Sequence, residues 1–172
     1  MHFEPNALYH IYNRSNEKVF YSRDNYLFFL KKLNDHIRPI CPILAWVLMP
    51  NHFHLLVEAT NESCVSTLEQ HRPATQQLSQ NIGSVLSGYT QAINKQAGRR
   101  GKLFSHNTKA KMLNLAHDFQ RSRNQHADNR PDYATTCFLY IHQNPVTAGL
   151  VDNLRDWEFS SLGTIPVLGT EN

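Results

Sequence analysis

Hydrophobic residues recur along this chain with two periods, one typical of strands and one typical of helices. Residues 7–15 alternate between the two faces of a half-buried strand. Residues 76–97 instead repeat apolar side chains every three or four positions, which predicts a helix. Together the two periods predict strand, helix, strand, strand, helix, strand and helix over residues 7–15, 22–37, 43–49, 52–58, 76–97, 109–113 and 133–144.

Local signals support the bounds of the first helix and of the hairpin. Ser22 is a favoured N-cap residue, and the helix that follows carries one apolar stripe. The stripe consists of Tyr26, Phe29, Leu30, Leu33 and Ile37. The two strands of the hairpin are separated by Pro50-Asn51, a turn-forming pair.

The order of these elements indicates an α+β fold of the ferredoxin-like kind. We expect an antiparallel sheet with two helices on one face and the other face free. The whole chain, residues 1–172, is predicted to form a single domain. Residues 117–132 are polar and without a hydrophobic pattern, so a mobile loop is expected there.

Composition and the N-terminal sequence bear on the cellular compartment in which the protein is expected. The longest apolar run, Ile43 to Met49, is too short to span a membrane. The N-terminus has no basic segment followed by an apolar one. Cys41, Cys64 and Cys137 are scattered and form no CxxC pair. We therefore expect a cytoplasmic protein with no disulfide framework and no membrane partner.

The distribution of charge says more than the net charge of +3. No Asp or Glu occurs between Gln70 and His117, whereas lysine and arginine are frequent there, especially over residues 94–111. A one-sign segment within a folded domain favours contact with a polyanion such as a nucleic acid. The alternative is a solvated basic loop.

His52 and His54 flank Phe53 in the predicted second strand of the hairpin. Because side chains alternate along a strand, Phe53, Leu55 and Val57 share the core face, whereas the histidines, Leu56 and Glu58 face the other way. The histidine Cβ atoms then lie ~7 Å apart, and two imidazoles at that separation can bind one divalent ion. The alternative is two half-exposed polar side chains.

Tyr140 and Asn144 lie one helical turn apart and share a helix face, whereas Phe138 and Ile141 should turn into the core. A carboxamide oxygen can complete a metal's ligand set beside the tyrosine. Two structural alternatives compete with this interpretation. Asn144 could be the N-cap of a short helix that starts at Pro145 and ends at Gly149, and Tyr140 could be a core aromatic.

Taken together, "MPNHFHLLVE" (residues 49–58) and "YIHQNPVTAGLV" (residues 140–151) resemble the HUH single-tyrosine transposases. The chain is most similar to their REP-associated branch, and "YHIYNRS", "YTQAINKQAGRRGKLF", "TKAK" and "DWEFSS" extend the resemblance over about residues 8–162. It implies a ferredoxin-like domain with a C-terminal catalytic helix. In this resemblance His52, His54 and Asn144 match the metal ligands, and Tyr140 matches the nucleophile.

The resemblance implies a transposase or endonuclease that cleaves and rejoins single-stranded DNA through a 5′-phosphotyrosine, with Mg²⁺ or Mn²⁺ as cofactor. Hairpin DNA from palindromic repeats is the expected partner, and the protein could be a monomer or a homodimer. We expect Phe104 to stack on bases. Contacts to the DNA backbone are expected from Arg14, Lys95, Arg99, Arg100, Lys102, Lys109 and Lys111.

Other functions remain open at the level of the sequence. A ferredoxin-like module could bind nucleic acid without catalysis, by stacking bases on aromatic side chains of its free face. A related HUH nuclease, such as a replication initiator or a relaxase, is a second alternative. A domesticated protein that keeps the chemistry without mobilising itself is a third.

Overall fold

The computed structural model describes residues 1–67, 74–113 and 132–163. All seven predicted elements are confirmed, and a two-stranded ribbon that was not predicted precedes the second helix. In chain order they are β1 Leu8–Arg14, α1 Arg23–His36, β2 Ile43–Met49, β3 His52–Glu58, β4 Ser66–Thr67, β5 Thr75–Gln76, α2 Gln77–Gln96, β6 Lys109–Leu113 and α3 Tyr133–Thr147. The loop predicted over residues 117–132 lies outside the described residues, apart from its last position.

The main sheet has the strand order β2-β3-β1-β6, and every neighbouring pair is antiparallel. With one helix after β1 and one before β6, this is the ferredoxin-like arrangement. The register places Tyr12 opposite His54 and Arg14 opposite His52. We call the side of the sheet that carries these residues the histidine face, and the opposite side the helix face.

Helix α1 packs its predicted stripe against the helix face. Tyr26, Phe29, Leu30 and Leu33 are buried, and so is Ile37 just beyond the helix. Ser22 is the N-cap, and the Asn25 side-chain oxygen accepts the backbone N–H of Ser22 at 3.2 Å. Phe53, Leu55 and Val57 belong to the same core, as the alternation of β3 predicted.

Helix α2 packs into the same core, and so does Phe104 in the loop that follows this helix. Leu78, Ile82, Val85, Tyr89 and Ile93 are buried along one stripe. The Phe104 ring, only 8% exposed, packs against the rings of Phe29, Phe53 and Tyr89. The expectation that Phe104 stacks on bases is therefore wrong, because this side chain fills the hydrophobic core.

The histidine face is not free, contrary to the sequence-based expectation. Helix α3 packs over β2 and β3 and closes a second, smaller core. Ile141 is fully buried there, but Phe138 is 36% exposed, so only one of the two predicted core positions is correct. The reason lies in β2, whose continuous apolar run is buried on both faces. This core consists of Ala45, Val47, Met49, Leu56, Leu113, Cys137 and Ile141.

Helix α3 runs without interruption through Pro145, so Asn144 is not the N-cap of a separate helix. The N-cap is Asp132, whose side chain accepts the backbone N–H of Thr135 at 2.7 Å. Proline removes one intrahelical donor but keeps a helical φ, and α3 retains it near its C-terminal end. Gly149, with φ of 66°, follows the C-cap Ala148, so the helix extends three residues beyond its predicted end at residue 144.

Residues 157–161 cover the outer edge of β2. The Leu48 N–H donates to the Phe159 carbonyl at 2.8 Å, and the Ser161 N–H donates to the Trp46 carbonyl at 2.9 Å. His142 of α3 is buried, and its Nε2 lies 2.7 Å from the Ser161 hydroxyl. Residues 157–161 therefore contact both α3, the helix that carries Tyr140, and the edge of the sheet.

Two further expectations concern disulfide bonds and membrane-spanning helices. Cys41, Cys64 and Cys137 are all free thiols. Within the described ranges, no helix is long and apolar enough to cross a membrane.

Candidate functional site

The paired histidines of β3 form the centre of the candidate site. Both project onto the histidine face, with ring centroids 5.1 Å apart and ring planes at 85°. His54, which is farther from the hairpin turn, is only 6% exposed, whereas His52 next to the turn is half-buried. Strand alternation therefore places both imidazoles on one face, as predicted, and it does so on an inner strand of the sheet.

His10 of β1 joins them, although the sequence analysis did not single it out as a site residue. Its Nε2 lies 2.8 Å from His54 Nδ1, and the two rings stack with centroids 5.0 Å apart. The alternation of residues 7–15 places His10 on one face of its strand, which is a weak signal. Only the register between β1 and β3 shows that this face is the one with His54.

Burial holds these imidazoles in their neutral form. Desolvation lowers the pKa of His54 to about 3, and the neighbouring His10 and His52 add to this effect. Desolvation and the nearby Lys111 charge lower the pKa of His10 to about 4. Desolvation also lowers the pKa of His52, against an opposing contribution from its hydrogen bond with Asn144. Neutral imidazoles with free lone pairs are the form that binds metal ions.

Tyr140 and Asn144 of α3 face the histidines. The Tyr140 ring lies edge-on to His54 at 5.4 Å and to His10 at 6.0 Å between centroids. It is 50% exposed, so the alternative of a core aromatic is wrong. Asn144 Nδ2 donates to the Tyr140 carbonyl at 2.8 Å, and its side chain also reaches the His52 ring. Helix α3 thus presents a phenol and a carboxamide to the same pair of imidazoles.

The donor set fits a divalent cation of borderline hardness. His54 engages His10 through Nδ1, and His52 engages the Asn51 side chain through Nδ1 at 2.7 Å. His54 thereby leaves Nε2 available for coordination, while Asn144, which contacts the His52 ring, can supply an oxygen. No cluster of three or more His, Cys, Asp or Glu side chains suited to a metal occurs in the described part of the chain. Asn144 would therefore have to complete the ligand set.

Three of the seven predicted DNA-contacting residues lie on the histidine face. Lys109 pairs with Tyr12 and Lys111 with His10, while Arg14 pairs with His52. Arg14 and Lys111 are close enough for their charges to lower the pKa of His52 and His10. The Lys111 ammonium also donates to the Tyr133 hydroxyl at the start of α3. We call Arg14, Lys109 and Lys111 the basic rim.

The other four basic residues lie at the C-terminal end of α2 and in the loop after it. Lys95, Arg100 and Lys102 are exposed there. Arg99 is mostly buried in an ion pair with Glu17 at 3.1 Å and donates to the Tyr21 hydroxyl at 3.3 Å. The basic residues between Gln70 and His117 therefore form two groups, and only the group on β6 borders the histidines.

Comparison with known proteins supports the fold. The solved structure of a REP-associated tyrosine transposase bound to a REP hairpin matches with a TM-score of 0.58 and 15% sequence identity. The match covers 100% of this chain and 90% of that one. No protein-family model matches the chain, and no curated protein does. The predicted resemblance to the REP-associated transposases is thus confirmed at the level of the fold.

Proposed function

We propose that this protein is a metal-dependent transposase or endonuclease that cleaves and rejoins single-stranded DNA through a 5′-phosphotyrosine. One observation carries the proposal: α3 brings Tyr140 to within 5.4 Å of His54, between ring centroids, while Asn144 on the same helix reaches His52. The proposed nucleophile and the three proposed ligand side chains come from two separate elements and lie together on the histidine face.

The proposed step is a transesterification at one phosphodiester. The Tyr140 oxygen attacks phosphorus, a tyrosyl O–P bond forms, and the bond from phosphorus to the 3′ oxygen breaks. The phenol loses its proton, and the departing strand ends as a 3′ hydroxyl. Tyr140 suits this role because its side chain is half exposed and lies beside His54 on the histidine face.

His52, His54 and Asn144 would hold the cation, Mg²⁺ or Mn²⁺. When bound there, it would act as a Lewis acid that offsets charge on the phosphate oxygens. The basic rim lies on the same face and provides cations for the neighbouring phosphates. The burial of His54 keeps its imidazole neutral, so that its lone pair stays available.

A covalent phosphotyrosine favours recombination over digestion. The ester bond is conserved in the intermediate, so a second 3′ hydroxyl can attack it and restore a phosphodiester. The matching solved structure holds a REP hairpin, which supports palindromic hairpin DNA as the substrate proposed here.

A second candidate is a non-catalytic nucleic-acid-binding module. It is favoured by aromatic side chains around the site, since Tyr12 lies on the histidine face and the Tyr140 ring is half exposed. Exposed aromatics on a ferredoxin-like sheet can stack with bases. This alternative offers no account of why a buried and a half-buried imidazole share one face with Asn144.

The test is a covalent-complex assay with end-labelled hairpin DNA that has single-stranded flanks. The wild type is compared with Tyr140→Phe, and Tyr21→Phe serves as the matched control because Tyr21 is 44% exposed and lies outside the site. We expect a denaturant-resistant, metal-dependent adduct in the wild type and in the control only. DNA binding by Tyr140→Phe should stay within about threefold of wild type.

Two outcomes would refute the proposal. Binding without any adduct, over several hairpins and with both Mg²⁺ and Mn²⁺, would favour the binding module. An adduct that persists in Tyr140→Phe would show that another residue is the nucleophile.

A further inference from the structure

His10 lies on an inner strand of the sheet, in contact with the candidate metal ligand His54. Its strand, β1, is an inner strand with hydrogen-bonded neighbours on both sides, β3 and β6. In the register, His10 pairs with Leu56 and is therefore a diagonal neighbour of His54 on the same face. The 2.8 Å contact from Nε2 of His10 to Nδ1 of His54 spans this diagonal.

A neutral imidazole carries its proton on one nitrogen and its lone pair on the other, and the partner of one nitrogen decides which is which. Within the described residues, His10 is the one hydrogen-bond partner of the His54 ring. If His10 Nε2 accepts, the His54 proton stays on Nδ1 and the lone pair stays on Nε2. That arrangement leaves Nε2 of His54 ready to bind a cation.

We propose that His10 is a positioning residue that fixes the ring orientation and the tautomer of His54 through this hydrogen bond. This inference rests on the proposed function, because it assigns His54 the role of a metal ligand. Comparable hydrogen-bond partners of ligating histidines typically contribute about 10- to 100-fold in metal affinity.

The surroundings of His10 suit this role. Its ring lies between Tyr12, at 4.9 Å, and the edge of Tyr140, at 6.0 Å between centroids. Lys111 stands opposite His10 on β6. A neutral His10 can accept a hydrogen bond through Nε2, whereas a charged one could only donate. The His10 ring is thus enclosed by side chains from three elements, which hold it against His54.

The test uses two substitutions at one position. His10→Gln places an amide near the position of Nε2 and can still accept from His54, whereas His10→Leu keeps the bulk without an acceptor. His106→Leu makes the same chemical change at an exposed loop position and serves as the control. Mn²⁺ affinity is measured on the full chain without DNA, and the tautomer of His54 is read from imidazole ¹⁵N shifts in the metal-free protein.

We expect His10→Leu to bind Mn²⁺ about 10- to 100-fold more weakly and to shift the tautomer of His54. The Gln variant and the control should stay within about threefold of wild type and keep the Nδ1–H tautomer. Thermal unfolding of all three variants verifies that the comparison is between folded proteins.

The design separates this inference from the proposed function. Unchanged affinity or an unchanged tautomer in His10→Leu would overturn the positioning role, and so would an equal loss in His10→Gln. Replacing His54 itself by Gln tests the metal site. Mn²⁺ binding that survives His54→Gln would overturn the proposed ligand set, whereas binding lost there but kept in His10→Leu would overturn this inference alone.

Discussion

Replacing Ile141 with alanine tests how firmly α3 is held over the site. Ile141 is fully buried in the second core, and Cys137 is the other buried apolar side chain that α3 contributes to it. Burial of each methylene-sized group contributes about 0.8 kcal/mol, and an incompletely filled cavity adds to the loss. The Ile141→Ala substitution should therefore weaken the docking of α3 by about 2 to 4 kcal/mol.

This loss should be local because the larger core on the helix face does not include Ile141. Hydrogen exchange followed by mass spectrometry is the suitable assay, since it reads the opening of each element separately. With a factor of ten for each 1.4 kcal/mol, the amides of α3 should exchange about 30- to 1,000-fold faster, while those of α1 and β3 change little. Yield of the covalent adduct should fall in parallel, because Tyr140 and Asn144 move with the helix.

The matched control is Leu139→Ala on the same helix. Leu139 is 46% exposed, so its truncation should change stability by less than about 0.5 kcal/mol. Equal protection of α3 in Ile141→Ala and wild type would refute the reasoning. So would a comparable loss in Leu139→Ala, since the second core would then not be what holds α3.

The remaining predictions concern the core, alkaline pH and DNA. The Tyr89 hydroxyl donates to the Val19 carbonyl at 2.9 Å in a buried setting, so Tyr89→Phe should lower the free energy of unfolding in urea by about 1 to 3 kcal/mol. Burial raises the pKa of Tyr26 to about 12, above an unfolded value of about 10, so its contribution is complete below pH 10 and is lost as the pH rises toward 12. Tyr26→Phe should therefore reduce the loss of stability between pH 9 and pH 11 by about 1.4 kcal/mol. Alanine at Lys109 or Lys111 should each reduce the salt slope of single-stranded DNA binding by about 0.7.

Each of these three predictions has a control variant and an outcome that would contradict it. At pH 7, Tyr26→Phe is the control for Tyr89→Phe, and equal stability losses in the two would argue against the Val19 hydrogen bond. Identical pH profiles for wild type and Tyr26→Phe would argue against its raised pKa. Lys31→Ala, on the surface of α1 and paired with Asp35, is the control for the basic rim. The same salt slope in all lysine variants would place the DNA elsewhere.

Several features could be predicted from the sequence because they depend on nearest neighbours along the chain. The stripe of α1, the Ser22 cap and the Pro50-Asn51 turn all follow from local geometry. Alternation in β3 is equally local, so it places His52 and His54 opposite Phe53 without knowledge of any other element. The order of the elements indicated the ferredoxin-like fold, the resemblance to the HUH transposases agreed with it, and the structural match supports it.

Other features depend on contacts between distant segments, and the sequence analysis missed or misjudged them. Phe104 follows a basic loop, but tertiary packing places it in the core beside Phe29 and Phe53. The histidine face was expected to be free, yet β2 is apolar on both sides and α3 covers it. All seven basic residues were expected to contact the DNA backbone. The sheet register brings only Arg14, Lys109 and Lys111 to the histidines.

The sequence by itself determined which residues form each element and which face of an element each side chain takes, because helix and strand periods are properties of the backbone. Only the tertiary structure decided which faces meet. His10 and His54 stand 44 positions apart, and their contact exists because β1 pairs with β3 in one register. A shift of one residue would turn His10 to the opposite face, so this part of the site is fixed by the packing of the whole sheet.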